Sequence, residues 1–284
     1  MKLTAASLRR WLEETGLEWE AVIFDIDGVL VLQGRPLAGS RELVALLRKR
    51  DVPVKLLTND GNNSIREKNG TLRECGLDFR EEEITSSGHA LADVVRERGL
   101  AGEPFFVMGR LGDPCYAELA GVTVTRSLDE ISACTGVIVG EEGYPWEPVV
   151  NAVVNYFIGS PLSPFILPNP DLYFPAADGR IRVAAGGVAE FVRSLLSAYG
   201  REVEPIRLGK PHAPIFHHCH SRLEALCGRP LERGRILMVG DSLAGDIAGA
   251  RLFGYRSALV LTGLTTEEMA ARSDVKPDFL FLHL

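Results

Sequence analysis

Residues 21–29 read AVIFDIDGV, a short apolar run that ends in two aspartates and a glycine. An apolar run of this length, closed by turn residues, predicts a buried β-strand. Asp25 and Asp27 stand two positions apart, so their side chains point to the same side of an extended chain. Gly28 permits a tight turn beside them. The same residues also occur in an ordinary turn after a strand.

Two carboxylates this close together need a cation, or one of them must hold a proton. Mg²⁺ is a hard ion that prefers oxygen ligands, and it commonly binds one or two carboxylates together with phosphate oxygens of a substrate. The aspartate pair therefore favours a Mg²⁺ site at the end of the strand.

Further apolar runs alternate with helical stretches along the chain. Helical patterns span residues 40–50 and 64–75, and the apolar run 52–57 lies between them. Later apolar runs span residues 105–108, 122–125, 136–139, 165–167, 236–239 and 258–261. This alternation predicts an α/β fold with parallel sheets and right-handed crossovers. Ligands bind beyond the carboxyl ends of such strands, so the residues after each run are the functional candidates.

Two of these candidate segments suit a phosphate group. Thr58-Asn59-Asp60-Gly61 follows the run VPVKLL and can cradle a phosphate with a hydroxyl and backbone amides, although any tight turn contains the same residue types. Lys210, within GKP, can neutralise a phosphoryl oxygen as a point charge, although an exposed lysine is the commoner explanation.

A third candidate segment, GDSLAGD, follows the run ILMV at residues 240–246. Asp241 at the end of this strand can complete an oxygen-rich metal site with Asp25. Asp241 or the neighbouring Ser242 can equally cap the helix that follows. Each of these segments lies at a predicted strand end, and together they supply a nucleophile, an acid/base, a phosphate anchor, a cation and a metal ligand.

Composition and charge exclude several classes of protein. The chain has 284 residues, of which 46% are hydrophobic and 24% charged, which is typical of a globular protein rather than a disordered or fibrous one. The net charge of −7 gives no positive field for nucleic acid or an anionic membrane. The sequence shows no leader and no apolar stretch of about 18 residues, and its five cysteines are irregularly spaced. We therefore expect a cytoplasmic protein without nucleic-acid or membrane partners.

The order DIDGV, LTND, GKP and GDSLAGD resembles the four signature motifs of the haloacid dehalogenase superfamily, over almost the whole chain. The resemblance implies a Rossmann-like, three-layer α/β core with a parallel sheet. It implies that Asp25 is the nucleophile, which forms an aspartyl-phosphate, and that Asp27 is the general acid and base.

The resemblance also implies how substrate and metal are held. Thr58 and Asn59 bind the phosphoryl group through a hydroxyl and the backbone, with Asp60 in the same phosphate-binding segment. Lys210 stabilises negative charge on the nucleophile and the phosphate. Mg²⁺ is the implied cofactor, and its ligands are the side chains of Asp25 and Asp241 and the backbone carbonyl of Asp27. Asp246 supports these ligands from outside.

The spacing of the motifs resembles subfamily IIA, the NagD-like phosphatases. Asp25 and Thr58 lie too close together for an inserted domain, whereas Thr58 and Lys210 are 152 positions apart. We expect residues 1–83 and 188–284 to form the core and residues 84–187 to form an inserted α/β cap. Two departures from the family pattern are Asp60, where relatives often carry Asn or Gly, and Leu167-Pro168, where relatives often have Ala-Thr.

The predicted function is a Mg²⁺-dependent phosphatase that acts on a small phosphate monoester, such as a sugar phosphate or a nucleotide. The alternatives are a phosphotransferase with the same intermediate, and a catalytically weak binding protein, for which Asp60 is the first suspect. We expect the cap to select the substrate. The cap is also the candidate surface for forming a homo-oligomer. The cap residues predicted to reach the substrate are Glu141, Tyr144, Trp146 and Asn169.

Overall fold

The computed structural model describes residues 3–15, 18–175 and 180–284. The chain divides into two compact units. The first unit contains Met1–Thr58, Ile65–Thr85 and Lys210–Leu284, and the second contains Asn59–Ser64 and Ser86–Gly209. Both units alternate strands with helices, so the predicted α/β class is confirmed.

The strands found in the described residues are β1 (Ala5–Ser7), β2 (Ala21–Phe24), β3 (Val31–Leu32), β4 (Arg35–Pro36), β5 (Val54–Thr58), β6 (Ile84–Ser86), β7 (Pro104–Met108), β8 (Thr123–Thr125), β9 (Gly136–Val139), β10 (Phe165–Leu167), β11 (Tyr173–Pro175), β12 (Ile181–Val183), β13 (Ile206–Arg207), β14 (Ile236–Gly240), β15 (Arg256–Val260) and β16 (Phe279–His283).

The α-helices found in the described residues are α1 (Leu8–Thr15), α2 (Ser40–Lys49), α3 (Ile65–Glu74), α4 (Ala90–Glu97), α5 (Tyr116–Leu119), α6 (Trp146–Gly159), α7 (Ala185–Ala198), α8 (Ala213–Cys227), α9 (Ala248–Phe253) and α10 (Glu267–Arg272). A π-helical turn, Leu243–Ile247, leads into α9. Short 3-10 turns occur at Glu81–Glu83, Ser87–His89, Leu128–Ala133 and Arg233–Arg235.

The first unit is built on a seven-stranded sheet with the order β1-β16-β15-β14-β2-β5-β6. In this order, each pair of neighbouring strands from β1 through β16, β15, β14 and β2 to β5 is parallel. The strands β14, β2 and β5 are neighbours, and Phe24 of β2 pairs with Val239 on one side and Leu56 on the other. The residues that follow these three strands therefore emerge together at one edge of the sheet.

Both faces of this sheet are buried, which explains why its strands read as continuous apolar runs. In β2, Val22 and Phe24 belong to one hydrophobic core, with residues of α1, α2 and α3. Ala21 and Ile23 point into a second core, with residues of α8 and α9. The strand period of two thus divides β2 between two helical layers, which gives three layers in all.

The second unit is built on a five-stranded parallel sheet with the order β13-β10-β9-β7-β8. Side chains of α6 and α7 share one core with this sheet, and side chains of α4 and α5 share the other. β11 and β12 form a separate two-stranded antiparallel sheet.

The second unit extends further along the chain than the predicted cap. Residues 188–209, which are predicted to belong to the core, lie in the second unit, which ends at Gly209. The reason is that Val188, Val192 and Leu196 of α7 pack into the core of the five-stranded sheet, to which β13 adds an edge strand. The first boundary also shifts slightly, from residue 83 to Thr85, and Asn59–Ser64 joins the second unit.

None of the helices described in residues 3–15, 18–175 and 180–284 is both long enough and apolar enough to cross a membrane. All five cysteines are free, with Cys75, Cys115, Cys134 and Cys219 buried and Cys227 half-buried.

Candidate active site

The first motif turns directly after β2. Asp25 is buried and its backbone N–H donates to the carbonyl of Val239 in β14, whereas Asp27 is exposed. Gly28 has a φ of +77°, a conformation that favours glycine, and its N–H donates to the carbonyl of Val31. The turn therefore separates the environments of the two aspartates, one inside the unit and one at its surface.

Lys210 lies between two carboxylates of the first unit. Its Nζ is 2.8 Å from Asp25 Oδ1 and 2.7 Å from Asp246 Oδ1, and it donates to the carbonyl of Leu57 at 3.1 Å. Lys210 itself is buried. Burial alone would lower the pKa of Lys210, but the carboxylates of Asp246 and Asp25 raise it above its usual value. The lysine is thus a fixed positive charge beside Asp25.

Asp246 is held by the π-helical turn after β14. Its Oδ2 accepts hydrogen bonds from the N–H groups of Asp241 at 3.2 Å and Ser242 at 3.0 Å. Its Oδ1 pairs with Lys210. Gly240 makes room for this arrangement, because a Cβ there would collide with the Asp246 side chain. With both oxygens engaged, Asp246 is suited to support the site from outside.

Asp241 is held in a slot between two glycines, Gly28 of the first motif and Gly263, which lies outside the four motifs. Its Oδ2 accepts the N–H of Leu264 at 2.6 Å, and a Cβ on either Gly28 or Gly263 would collide with its carboxylate. Thr262 Oγ1 donates to the carbonyl of Gly28 at 2.6 Å, and this hydrogen bond joins the segment that contains Gly263 to the segment that contains Gly28. Thr262-Gly263 directly follows the predicted strand 258–261. Its position after an apolar run marks it as a functional candidate by the same rule that identifies the other segments.

Asp25, Asp241 and Asp246 form a group whose carboxylate oxygens lie within 4.8 Å of one another, and all three are buried. Burial raises the pKa of Asp25 well above its usual range, and it raises that of Asp241 to about 7, with Asp246 adding to the shift. When all three carboxylates are ionised, they and the one ammonium carry a formal charge of −2. A hard divalent cation fits both the oxygen donors and this charge.

The second motif spans the end of β5. Thr58 ends the strand in the first unit and is buried. Asp60 belongs to the second unit, where its Oδ1 accepts the N–H groups of Asn62 and Asn63 and its Oδ2 accepts Asn63 Nδ2 at 3.0 Å. The Asp60 carboxylate thus stabilises the turn that precedes α3, which gives this departure from the family pattern a local structural reason.

The four predicted cap residues lie in the second unit as two pairs. Asn169 Nδ2 donates to Glu141 Oε1 at 2.7 Å, and Asn169 is buried. Tyr144 and Trp146 stack with ring centroids 6.5 Å apart, and Trp146 is 46% exposed. Burial raises the pKa of Glu141 to about 7 and that of Tyr144 to about 12. The first pair is an internal contact, whereas the second presents an aromatic surface.

Comparison with known proteins agrees with this architecture. Residues 22–123 match a family model described as haloacid dehalogenase-like hydrolase, and residues 207–284 match a second, HAD-hydrolase-like model. A phospholysine phosphohistidine inorganic pyrophosphate phosphatase of Rattus norvegicus is 29% identical over 251 residues, which cover 85% of this chain and 83% of that protein.

Two solved structures extend the likeness to the fold. The p-nitrophenyl phosphatase of Archaeoglobus fulgidus matches with a TM-score of 0.78 and 27% identity, over 94% of this chain and 97% of that one. NagD from E. coli K-12 shares the fold with a TM-score of 0.76 and 23% identity, over 94% and 97% of the two chains. The chain therefore belongs to the haloacid dehalogenase-like hydrolases, as a phosphatase whose fold is similar to that of NagD.

Proposed function

We propose that this phosphatase hydrolyses a small phosphate monoester, such as a sugar phosphate or a nucleotide, with Mg²⁺ and through an aspartyl-phosphate on Asp25. The observation that carries the proposal is the buried group of Asp25, Asp241 and Asp246 around Lys210. A nucleophilic carboxylate, a fixed cation and an oxygen-rich metal site are the parts that phosphoryl transfer needs.

The metal would be held by the side chains of Asp25 and Asp241 and by the backbone carbonyl of Asp27. When bound, Mg²⁺ supplies positive charge that stabilises the oxygens of the transferring phosphoryl group. Lys210 adds a second positive charge beside Asp25. The hydroxyl of Thr58 and the backbone amide of Asn59 bind the remaining phosphoryl oxygens.

In the first step, a carboxylate oxygen of Asp25 attacks the phosphorus, and the bond from phosphorus to the ester oxygen breaks. Asp27 gives its proton to the leaving oxygen. The exposure of Asp27 supports this role, because a residue that exchanges protons with a leaving group and then with water must be accessible to both.

In the second step, water attacks the phosphorus of the aspartyl-phosphate. Asp27, now ionised, takes a proton from this water, and the bond between phosphorus and the Asp25 oxygen breaks. Inorganic phosphate leaves, and Asp25 is restored as a carboxylate. The two aspartates therefore do different work at different depths of the first unit.

We assign the choice of leaving group to the second unit. The stacked Tyr144 and Trp146 support this assignment, because the half-buried Tyr144 and the exposed Trp146 offer an aromatic surface to an apolar or planar leaving group. A homo-oligomer formed through the second unit stays a prediction.

The proposal is tested by the release of inorganic phosphate from a panel of esters, measured with Mg²⁺ and with EDTA. The panel contains p-nitrophenyl phosphate, sugar phosphates, nucleoside monophosphates, phosphoglycolate and pyridoxal phosphate. We expect Mg²⁺-dependent release, with a ranking that reports the preference of the second unit. Release that is equal in EDTA would contradict the metal site, and preferential transfer to an added alcohol would contradict hydrolysis.

A further inference from the structure

Four polar residues of the second unit are linked by a chain of hydrogen bonds that uses their side chains and one backbone N–H. Asn169 Nδ2 donates to Glu141 Oε1 at 2.7 Å, and Asn169 Oδ1 accepts the N–H of Asp171 at 2.9 Å. Asn59 Nδ2 then donates to Asp171 Oδ1 at 3.0 Å. This chain of hydrogen bonds thus runs from the end of β9, past the end of β10, to Asn59, the residue that follows Thr58.

The register of the five-stranded sheet explains why the first two members meet. Ile138 of β9 pairs with Ile166 of β10 in parallel, so the positions three residues later, Glu141 and Asn169, leave the sheet side by side. Glu141 Oε2 also accepts the N–H of Ala185, the first residue of α7, at 3.3 Å. This end of the chain of hydrogen bonds is therefore anchored on a sheet and on a 14-residue helix.

Helix α7 also packs closely on the middle of the chain of hydrogen bonds. A Cβ on Gly186 would collide with the backbone carbonyls of Pro170 and Asp171, and the Gly186 N–H donates to the Asp171 carbonyl at 3.0 Å. The glycine at the start of α7 therefore fixes the backbone that carries the Asp171 side chain.

Asn59 lies at the far end of the chain of hydrogen bonds and is held from several sides. Asn59 is buried, and its carbonyl accepts Ser87 Oγ at 2.8 Å. Gly209 leaves room for its side chain, because a Cβ there would come within 2.5 Å of Asn59 Oδ1 and 2.8 Å of the Pro168 carbonyl. The residues next in sequence to Asn59 and Gly209 are Thr58 and Lys210, both assigned above to phosphate binding.

We propose that Glu141, Asn169 and Asp171 are positioning residues that orient the peptide between Thr58 and Asn59 for phosphate binding. The inference depends on the proposed phosphatase function, and it replaces the predicted contact of Glu141 and Asn169 with substrate. Asp171 acts through Asn59, and Glu141 acts through Asn169, without touching the phosphate.

Placing the Glu141 carboxylate near two other carboxylates costs free energy of folding, which supports a role for it other than stability. Burial raises the pKa of Glu141 to about 7, and the nearby carboxylates of Asp60 and Asp171 add to the effect. An apolar contact would fill the same space without burying a carboxylate beside two others. Buried groups with perturbed pKa values occur preferentially where function requires them.

The test compares Asp171→Ala with Asp171→Asn. Alanine removes the acceptor for Asn59 Nδ2, whereas asparagine retains one acceptor oxygen for this hydrogen bond, loses the negative charge and replaces the other oxygen with an NH2 donor. With p-nitrophenyl phosphate and Mg²⁺, we expect Asp171→Ala to lower kcat/KM and to raise the inhibition constant of inorganic phosphate, each by about 10- to 100-fold. Asp171→Asn should stay within about threefold of the wild type, a difference of about 0.7 kcal/mol.

Tyr156→Phe is the matched control, because Tyr156 Oη donates to the Cys134 carbonyl at 2.9 Å in the same unit, away from the chain of hydrogen bonds. It should leave kcat/KM and phosphate inhibition unchanged even if it lowers Tm. Should Asp171→Ala fail to fold, Glu141→Ala provides the second variant, since it removes the acceptor for Asn169 Nδ2 through which Glu141 acts. We expect it to lower kcat/KM by about tenfold, with Tm measured on the same sample.

The outcomes separate this inference from the function it builds on. A wild type that releases no phosphate overturns the phosphatase proposal and this inference with it. If the wild type is active and Asp171→Ala has the same kcat/KM and the same inhibition constant for inorganic phosphate, the inference is overturned and the phosphatase proposal stands. Equal losses in Asp171→Ala and Asp171→Asn also overturn it, because the hydrogen bond to Asn59 would then not carry the effect.

Discussion

Lys210 Nζ lies 2.8 Å from Asp25 Oδ1, so the lysine of the third motif forms an ion pair with the first aspartate of the first motif. The same ammonium is 2.7 Å from Asp246 Oδ1. One lysine therefore holds two carboxylates that come from β2 and from the turn after β14. This arrangement places a positive charge beside the proposed nucleophile before substrate arrives, as electrostatic preorganisation requires.

Removal of this lysine should destabilise the protein. We expect Lys210→Met to lower the free energy of unfolding by about 3–5 kcal/mol, because it leaves Asp25 and Asp246 buried without their counter-charge. Urea denaturation in EDTA measures the change. Lys49→Met, at an exposed position of α2, is the control and should change stability by less than about 0.5 kcal/mol. Equal stability of Lys210→Met and the wild type would contradict a buried ion pair.

Gly263 should be intolerant of a side chain. A Cβ there would collide with the carboxylate of Asp241 and approach the backbone of Gly28 to 2.8 Å. We expect Gly263→Ala to lower Mg²⁺-dependent phosphate release by about a hundredfold, since a displacement of about 1 Å at a reacting site can cost that much. Gly70→Ala is the control, because Gly70 is exposed in α3 with open space around it. Wild-type rates for Gly263→Ala would show that Asp241 need not occupy this slot.

The half-buried carboxylate of Glu141 should make stability depend on pH. Its pKa is raised from 4.5 to about 7 in the folded protein, so between these pH values the folded state binds more protons than the unfolded state. Stability from this group is therefore lost as the pH rises from about 4.5 to about 7. The raised pKa corresponds to roughly 3 kcal/mol as an upper limit.

Glu141→Gln removes this titration. We expect the free energy of unfolding of the wild type, minus that of Glu141→Gln, to fall steadily between pH 4.5 and 7 in chemical denaturation. Glu142→Gln, at the exposed neighbouring position, is the control for removing one negative charge from the same loop. A wild-type-minus-variant difference that does not change with pH would refute the buried environment of Glu141.

Asp27 should be needed for turnover and not for metal binding. We expect Asp27→Asn to slow phosphate release by about 10²- to 10⁴-fold, the usual contribution of a general acid and base. Mg²⁺ affinity, measured by calorimetry, should stay near the wild-type value because the proposed ligand is the backbone carbonyl. A variant as fast as the wild type would remove Asp27 from the mechanism.

Much of the fold could be predicted because its strands are buried on both faces. The runs at residues 21–24, 136–139 and 165–167 match β2, β9 and β10 residue for residue, since an unbroken apolar run is the signature of a strand between two layers. The predicted boundary after residue 187 differs from the end of the second compact unit at Gly209, because an apolar helical face does not reveal which sheet it covers. Only the packing of Val188 and Val192 shows that α7 belongs to the second unit.

The site was predictable where chemistry and position coincide in sequence. Asp25 and Asp241 each follow a central strand, and neighbouring parallel strands bring them to one edge. The slot around Asp241 could not be predicted in full, because Gly263 acts by lacking a side chain that would collide with a distant carboxylate. The contact of Glu141 with Asn169 depends on the register of β9 and β10, which the sequence leaves open.

The central claim is that Asp25 is the nucleophile, and Asp25→Asn tests it most directly. Phosphate release from the best ester of the panel should be measured with Mg²⁺ for the wild type and the variant, with circular dichroism to confirm that both are folded. The account predicts Mg²⁺-dependent release by the wild type and none above background by folded Asp25→Asn. Substantial Mg²⁺-dependent release by Asp25→Asn would contradict it.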